Sequence, residues 1–154
     1  MFMKEILLAF FGSYFPAILF NIEKKNLVWA GFSGLVGWTT AAIITGLTGM
    51  PIVGTFFGSA FIGLYSEIMA RILKTPASVF SISGIYPLVP GITAYLTVEN
   101  IVTGNPAAAL NKGTETVAYA GAIAFGIMLA TVSVQFLLKF NELLKKGKSI
   151  RIKG

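Results

Sequence analysis

The chain has 154 residues, of which 55% are hydrophobic and 12% are charged, and its mean hydropathy is +0.79. Soluble domains carry about 25% charged residues, so this composition predicts an all-α integral membrane protein. Cysteine and histidine are both absent, which excludes disulfides, thiolate catalysis and imidazole metal ligands. The net charge of +6 does not indicate nucleic acid, because the basic residues stand beside apolar segments, where they meet the lipid bilayer and its anionic headgroups.

The first three apolar segments are predicted to be membrane spans at residues 6–22, 27–49 and 51–70. The first resembles a signal peptide, but no small-residue cleavage site follows it and more apolar segments come after it, so we interpret it as a retained helix. The second holds no charge and is rich in glycine, which predicts close helix packing. The third begins at Pro51, a residue suited to the first turn of a helix.

The fourth predicted span, residues 76–98, is interrupted near its middle by the sequence PLVPG. Pro87 and Pro90 each remove a backbone N–H and clash with the preceding turn, so we predict that the span is broken there. An unsatisfied backbone group in hydrocarbon costs several kcal/mol, so such a break requires burial in protein or a polar cavity. The alternative interpretation is a proline-kinked helix packed between its neighbours.

A polar loop is predicted at residues 100–115, followed by a fifth span at 116–138. Small residues recur every four positions along this span and favour close approach of another helix. They are Ala118, Ala122, Gly126 and Ala130. We therefore divide the chain into a five-span membrane domain, residues 1–140, and a basic cytoplasmic tail, residues 141–154.

The distribution of lysine and arginine decides between five spans and four. Five spans place two basic residues on one side and ten on the other, whereas four spans, with 27–49 outside the membrane, give nine against three. The larger asymmetry favours five spans. It predicts a multi-pass protein of the plasma (inner) membrane with its N-terminus outside and its C-terminus in the cytoplasm.

An odd number of spans has a consequence for assembly. Two related five-span units insert with opposite orientations, the arrangement of transporters built from inverted repeats. We find no repeat within this chain, so the second unit would be a separate protein. A self-contained bundle or a homo-oligomer is the alternative.

The break also supplies the candidate substrate-binding residues. They are Ser83, Gly84, Tyr86, Pro87, Pro90, Gly91 and Thr93. A half-helix that begins at the break would direct free N–H groups and a positive dipole end toward the membrane centre, where they favour a carboxylate. Glu67 is a weak candidate for proton coupling, and its position four residues before Arg71 favours an ion pair instead. No metal or cofactor site is predicted.

The segment PASVFSISGIYPLVPGITAYLTVENIVTGN resembles the signature of the threonine/serine exporter family, in its C-terminal membrane unit. The matching positions are Pro76, Gly84, Pro87, Leu88, Val89, Pro90, Gly91 and Tyr95. The resemblance implies export of a small amino acid (threonine or serine) or of a dicarboxylate, succinate, as in two-component members. It also implies a larger partner subunit that has a soluble N-terminal region and its own five spans.

The resulting prediction is a subunit of a secondary-type exporter. The chain lacks a nucleotide-binding loop, which argues against ATP as the energy source. The alternative is an accessory or assembly subunit with no substrate site of its own. An enzyme is not predicted, because no nucleophile and base can be paired without cysteine and histidine.

Overall fold

The computed structural model describes the backbone of residues 2–152 and the side chains of residues 3–140. The described chain is helical and contains no β-strand. Its α-helices are α1 (Phe2–Leu19), α2 (Lys24–Thr48), α3 (Pro51–Leu73), α4 (Ser78–Gly84), α5 (Gly91–Val102) and α6 (Pro106–Ile152), with a 3₁₀ turn at Tyr86–Leu88.

Three of the described helices are long and apolar enough to cross a membrane. They are Lys24–Thr48, Pro51–Leu73 and Pro106–Phe140. The count becomes four if Ser78–Leu88 and Gly91–Val102, which are bent by 58° relative to each other, form one span. The all-helical, membrane-type architecture is therefore as predicted, and α3 begins at Pro51 as expected.

Helices α1, α2 and α3 pack as successive antiparallel neighbours. Ser13 of α1 lies against Gly34 of α2, while Ala17, closer to the turn, packs in one cluster with Leu27. Between α2 and α3, a Cβ atom placed on Gly58 would lie 2.6 Å from the carbonyl oxygen of Gly37. The glycines of both helices therefore allow the backbones to approach more closely than any larger residue would.

Helices α3 and α6 run parallel, although they are far apart in sequence. The Ser59 hydroxyl donates to the carbonyl oxygen of Ala122 at 3.3 Å, and further along, Gly63 lies against Ala130. Of the small residues that recur along α6, Gly126 and Ala130 are buried. The helix that approaches this face is thus α3.

Helix α4 fills the space between α1, α2 and α3. Phe80 is fully buried and packs in one cluster with Leu27 and Met69, whereas Gly84, one turn on, lies against Ser33 and Ile62. These contacts show that α4 runs parallel to α2 and antiparallel to α3. The chain is therefore anchored by α4 inside the bundle before it reaches the break.

The connection between α5 and α6 differs from the sequence prediction. The predicted loop at 100–115 is wrong, because α5 continues to Val102 and α6 begins at Pro106. The Asn105 side-chain oxygen accepts the N–H of Ala108 at 3.2 Å, which makes Asn105 the N-cap of α6. The polar residues of the segment 100–115 thus mark the start of α6 and an exposed first part of that helix, not a long loop.

The basic tail lies at the end of α6, which continues through Ile152. The side chains of residues 141–154 lie outside the described residues. The predicted cytoplasmic placement of the tail, residues 141–154, therefore remains a prediction.

Candidate functional site

The interruption between α4 and α5 lies at the middle of the bundle. Leu88, in the 3₁₀ turn, is buried in one cluster with Ala41 of α2, Ile62 of α3 and Ile123 of α6. Ile62 is the middle residue of α3. Val89 and Pro90 follow, and the axis then turns by 58° into α5. Helix α5 packs on α6 and makes no comparable contact with α1, α2 or α3 among the described residues.

The predicted substrate-binding residues fall into three groups on different sides of this interruption. Ser83 and Gly84 form the first group and face the bundle interior. The Ser83 hydroxyl donates to the carbonyl oxygen of Val79 at 3.0 Å. A Cβ atom on Gly84 would clash with the Ser33 hydroxyl and would lie 3.0 Å from Ile62. This close approach is the physical reason for a glycine at residue 84.

Tyr86 and Pro87 form the second group and face α1. They line a cleft of about 300 Å³ together with Glu5, Gly12 and Trp38. The Tyr86 side chain is 45% exposed, and its ring centroid lies 6.0 Å from that of Phe20. Pro87 and the backbone turn at Tyr86 thus lie beside α1, and Glu5 is the charged residue of this cleft.

Pro90, Gly91 and Thr93 form the third group and face α6. They line a cleft of about 400 Å³ together with Glu115 and Tyr119. The first intrahelical bond of α5 runs from the N–H of Ala94 to the carbonyl oxygen of Pro90 at 3.1 Å. The two residues before Ala94 therefore carry N–H groups without an intrahelical acceptor, and no side chain caps this helix start.

The charges near the two clefts are mainly negative. Glu5 lines one cleft and Glu115 the other, and no lysine or arginine is among the described residues that line them. Lys112 lies one turn from Glu115, and its ammonium is 2.8 Å from the Glu115 carboxylate. A substrate carboxylate in these clefts would thus depend on backbone N–H groups and hydroxyls within this chain.

Glu67 forms the ion pair expected from its spacing with Arg71. A carboxylate oxygen of Glu67 lies 3.1 Å from the Arg71 guanidinium, and the Glu67 side chain is only 9% exposed. Gln135 of α6 donates to the other carboxylate oxygen at 3.4 Å. Glu67 therefore joins α3 to α6 and lies on a different part of the bundle from the interruption.

Sequence reasoning missed a set of buried serine hydroxyls. Ser13, Ser33 and Ser66 are each at most 1% exposed, and their hydroxyls have no hydrogen-bond partner in the described structure. In the sequence they are small residues in apolar spans, which indicates close packing but does not show which hydroxyl is left unpaired. The described residues contain no group of histidine, cysteine or carboxylate side chains able to hold a metal ion.

Residues 5–133 match the family described as "Threonine/Serine exporter, ThrE". The chain belongs to the threonine/serine exporter family. The match covers the helices from α1 to the middle of α6, including the interruption at PLVPG. Membership in this family supports a role in membrane transport.

The curated relatives include an uncharacterized protein of Haemophilus influenzae. It is 28% identical over 87 residues, which are 56% of this chain and 29% of that protein. This chain thus aligns with less than a third of the length of that relative. No solved structure gives a significant match.

Proposed function

We propose that this chain is the small membrane subunit of a secondary exporter for threonine and serine, or for a dicarboxylate such as succinate. The observation that carries the proposal is the interrupted α4–α5 segment at the middle of the bundle, with clefts on two of its sides. Transporters place their substrate at broken helices of this kind, because the freed backbone groups need a cavity and can bind a solute there.

Exposure of the interruption favours this proposal over an accessory subunit. A purely structural break would be expected to be buried, whereas Tyr86 is 45% and Val89 is 50% exposed. Only Leu88 of the 3₁₀ turn is buried. The accessory or assembly subunit remains the second candidate, and it requires that no substrate contacts these residues.

The topology that we propose has five spans, with the α4–α5 pair as the broken fourth and α1 as the first. Because α2 and α3 are antiparallel and α3 and α6 are parallel, one end of the bundle collects Lys24, Lys25, Arg71, Lys74 and Lys139. We assign this end to the cytoplasm of an inner-membrane protein, with the N-terminus outside.

We also propose a larger partner subunit with a soluble N-terminal region and its own five spans. The support within this chain is helix α5, which packs on α6 and leaves an apolar outer face with Ile92, Val98 and Val102 largely exposed. A second five-span unit of opposite orientation would place its own broken helix beside this one. A homo-oligomer is the alternative assembly.

The proposal is tested by efflux of labelled threonine, serine and succinate from cells that lack their own exporters. The chain is expressed alone and with its candidate partner, as wild type and as the double variant Pro87→Ala, Pro90→Ala. We expect the double variant to lower efflux by about tenfold or more, because a continuous helix removes the free backbone groups at mid-depth.

The matched control is Pro51→Ala. Pro51 stands at the first turn of α3, where its ring breaks no intrahelical bond, so export should be unchanged. Equal abundance of each variant in the membrane is verified first. If properly inserted subunits export none of the three solutes, the accessory-subunit function is favoured.

A further inference from the structure

The cleft between α1, α2 and the 3₁₀ turn, which we call the α1 cleft, extends away from the break. Its volume is about 300 Å³, and Glu5, Trp38 and Pro87 are among the residues that line it. A Cβ atom on Gly12 would lie 3.8 Å from the Pro87 ring. Glu5 lies two helical turns from Gly12, about 10 Å along α1. The cleft therefore joins the break to the N-terminal end of α1.

Glu5 differs from the other carboxylates whose side chains the structure describes. Glu23, Glu67 and Glu115 each have a lysine or arginine nitrogen within 3.1 Å. Glu99 has no such partner, but it is exposed. Glu5 is partly buried, and none of the described lysine and arginine side chains forms an ion pair with it. A carboxylate withdrawn from water gains from a nearby cation, and at Glu5 the chain supplies none.

The other residues of the α1 cleft suit an organic cation. Trp38 is part of the lining, and indole is the aromatic group that attracts cations most strongly. Leu8 and Ala9 add apolar surface, against which the carbon atoms of a small solute can pack. A volume of about 300 Å³ is at the lower end of ligand pockets, which favours a small ligand.

Helix geometry alone does not explain this combination. Glu5 is in the first turn of α1, where the helix dipole favours a negative charge on any side of the helix. The dipole does not account for the side that Glu5 occupies, in one cleft with Trp38 and Pro87. An inorganic cation fits less well than an organic one, because it takes several oxygen ligands at once and Glu5 is the one carboxylate of the lining.

We propose that the α1 cleft binds the ammonium group of a small organic solute, with the Glu5 carboxylate and Trp38 as its partners. Binding itself does not depend on export. That the ammonium group belongs to an exported solute rests on the proposed function. In that case Glu5 selects an amino acid over a dicarboxylate, because it attracts the ammonium group and repels a second negative charge.

Tryptophan fluorescence tests the proposal at the cleft, because the chain has two tryptophans and Trp38 is one of them. Trp29→Phe leaves Trp38 as the sole indole. The hydrogen bond from the Tyr65 hydroxyl to residue 29 uses the backbone carbonyl, which this substitution keeps. The full chain with this change, in detergent micelles, is titrated at constant ionic strength with ethanolamine, L-serine, potassium succinate and sodium chloride. Ethanolamine carries an ammonium group and no carboxylate.

Three further variants are made in the same background. Glu5→Gln removes the charge and keeps the shape, whereas Glu5→Asp keeps the charge. The matched control is Glu99→Gln, which removes an exposed carboxylate that lines neither cleft beside the break. Size-exclusion profiles and circular dichroism verify that each variant is folded.

We expect ethanolamine and L-serine to change the Trp38 emission saturably, and succinate and sodium to leave it unchanged. Glu5→Gln should raise the dissociation constant for ethanolamine at least about tenfold, because a charge-assisted hydrogen bond is lost. Glu5→Asp should raise it less, and Glu99→Gln should not change it.

Three results would overturn the proposal: no saturable response to ethanolamine, a response to succinate or sodium as strong as that to ethanolamine, or equal affinity in Glu5→Gln. The first two need no change at Glu5, so they decide the question even if Glu5→Gln does not fold.

Binding and export fail separately. An ethanolamine response that depends on Glu5, without efflux of any of the three solutes, keeps the ammonium site and removes the export function. Efflux from cells without an ethanolamine response keeps the export function and removes the ammonium site.

Discussion

At the scale of single residues, the ion pair between Glu67 and Arg71 depends both on local spacing and on a tertiary contact. The i,i+4 spacing brings the two side chains together on α3, and Gln135 adds a partner from α6. The Arg71 side chain is 42% exposed while that of Glu67 is 9% exposed. Removing the cation therefore leaves a buried carboxylate with only the Gln135 amide as its partner.

This asymmetry predicts different costs for the two partners. Arg71→Ala should lower the free energy of unfolding in detergent by about 1–3 kcal/mol, because the buried charge loses its cation. Glu67→Gln should cost less, since an amide keeps the shape and can still bond to both neighbours. Chemical unfolding measured by circular dichroism provides the comparison.

The control for the ion pair is Lys25→Ala. Lys25 pairs with Glu23, but both side chains are 66% exposed, so the change should cost about 0–1 kcal/mol. Equal losses in Arg71→Ala and Lys25→Ala would contradict the argument from burial. If Glu67→Gln abolished export while stability stayed unchanged, Glu67 would take part in proton coupling and not only in packing.

At the scale of helices, the parallel packing of α3 and α6 depends on one glycine more than on its neighbours. A Cβ atom on Gly126 would lie 2.5 Å from the carbonyl oxygen of Phe56 and 3.0 Å from the backbone nitrogen of Ala60. Backbone atoms cannot move aside as a flexible side chain can. Gly121, on the same helix, has open space where its Cβ atom would be.

The two glycines give a matched pair of variants. Gly126→Ala should destabilise the protein by about 1–3 kcal/mol, because α6 must shift away from α3. Gly121→Ala should be neutral or slightly stabilising, since alanine has the higher helix propensity. Thermal unfolding of both variants in the same detergent measures the difference. The packing described above would be wrong if the two variants had the same midpoint.

At the scale of the whole molecule, the directions of the helices place the charged residues at the two ends of the bundle. One end carries Lys25, Arg71 and Lys139, and Glu5 at the start of α1 lies near Trp38 toward the other end of α2. Lys112 lies in the first part of α6, at that same opposite end. Dense basic charge at one end is the arrangement that membrane insertion places in the cytoplasm.

This arrangement predicts the labelling pattern in spheroplasts. Lys112→Cys should react with a membrane-impermeant maleimide added outside, whereas Lys25→Cys should react only after the membrane is opened. Detergent-opened samples provide the control that both cysteines are reactive. The reverse pattern would invert the proposed orientation, and equal labelling of both would indicate dual topology.

Several features of the fold follow from the sequence because they depend on local chemistry. Composition alone indicates a helical membrane protein, and Pro51 marks the start of α3 because its missing N–H has no role there. Small residues indicate which faces of the helices lie close to another helix. The prediction of a loop at 100–115 is wrong for a local reason as well. Polar residues suit both a loop and the capped start of a helix, and the N-cap hydrogen bond of Asn105 favours the helix.

The sequence by itself therefore determined the membrane class from composition, the interruption-prone segment from its two prolines, and the family resemblance from the segment around PLVPG. Only the tertiary structure decided which helices meet, because α3 and α6 pair across more than fifty residues of chain. It separated the predicted site residues into three groups and revealed unpaired hydroxyls at Ser13 and Ser33. Whether a hydroxyl has a hydrogen-bond partner depends on how close the facing helix lies. A local sequence pattern does not contain that distance.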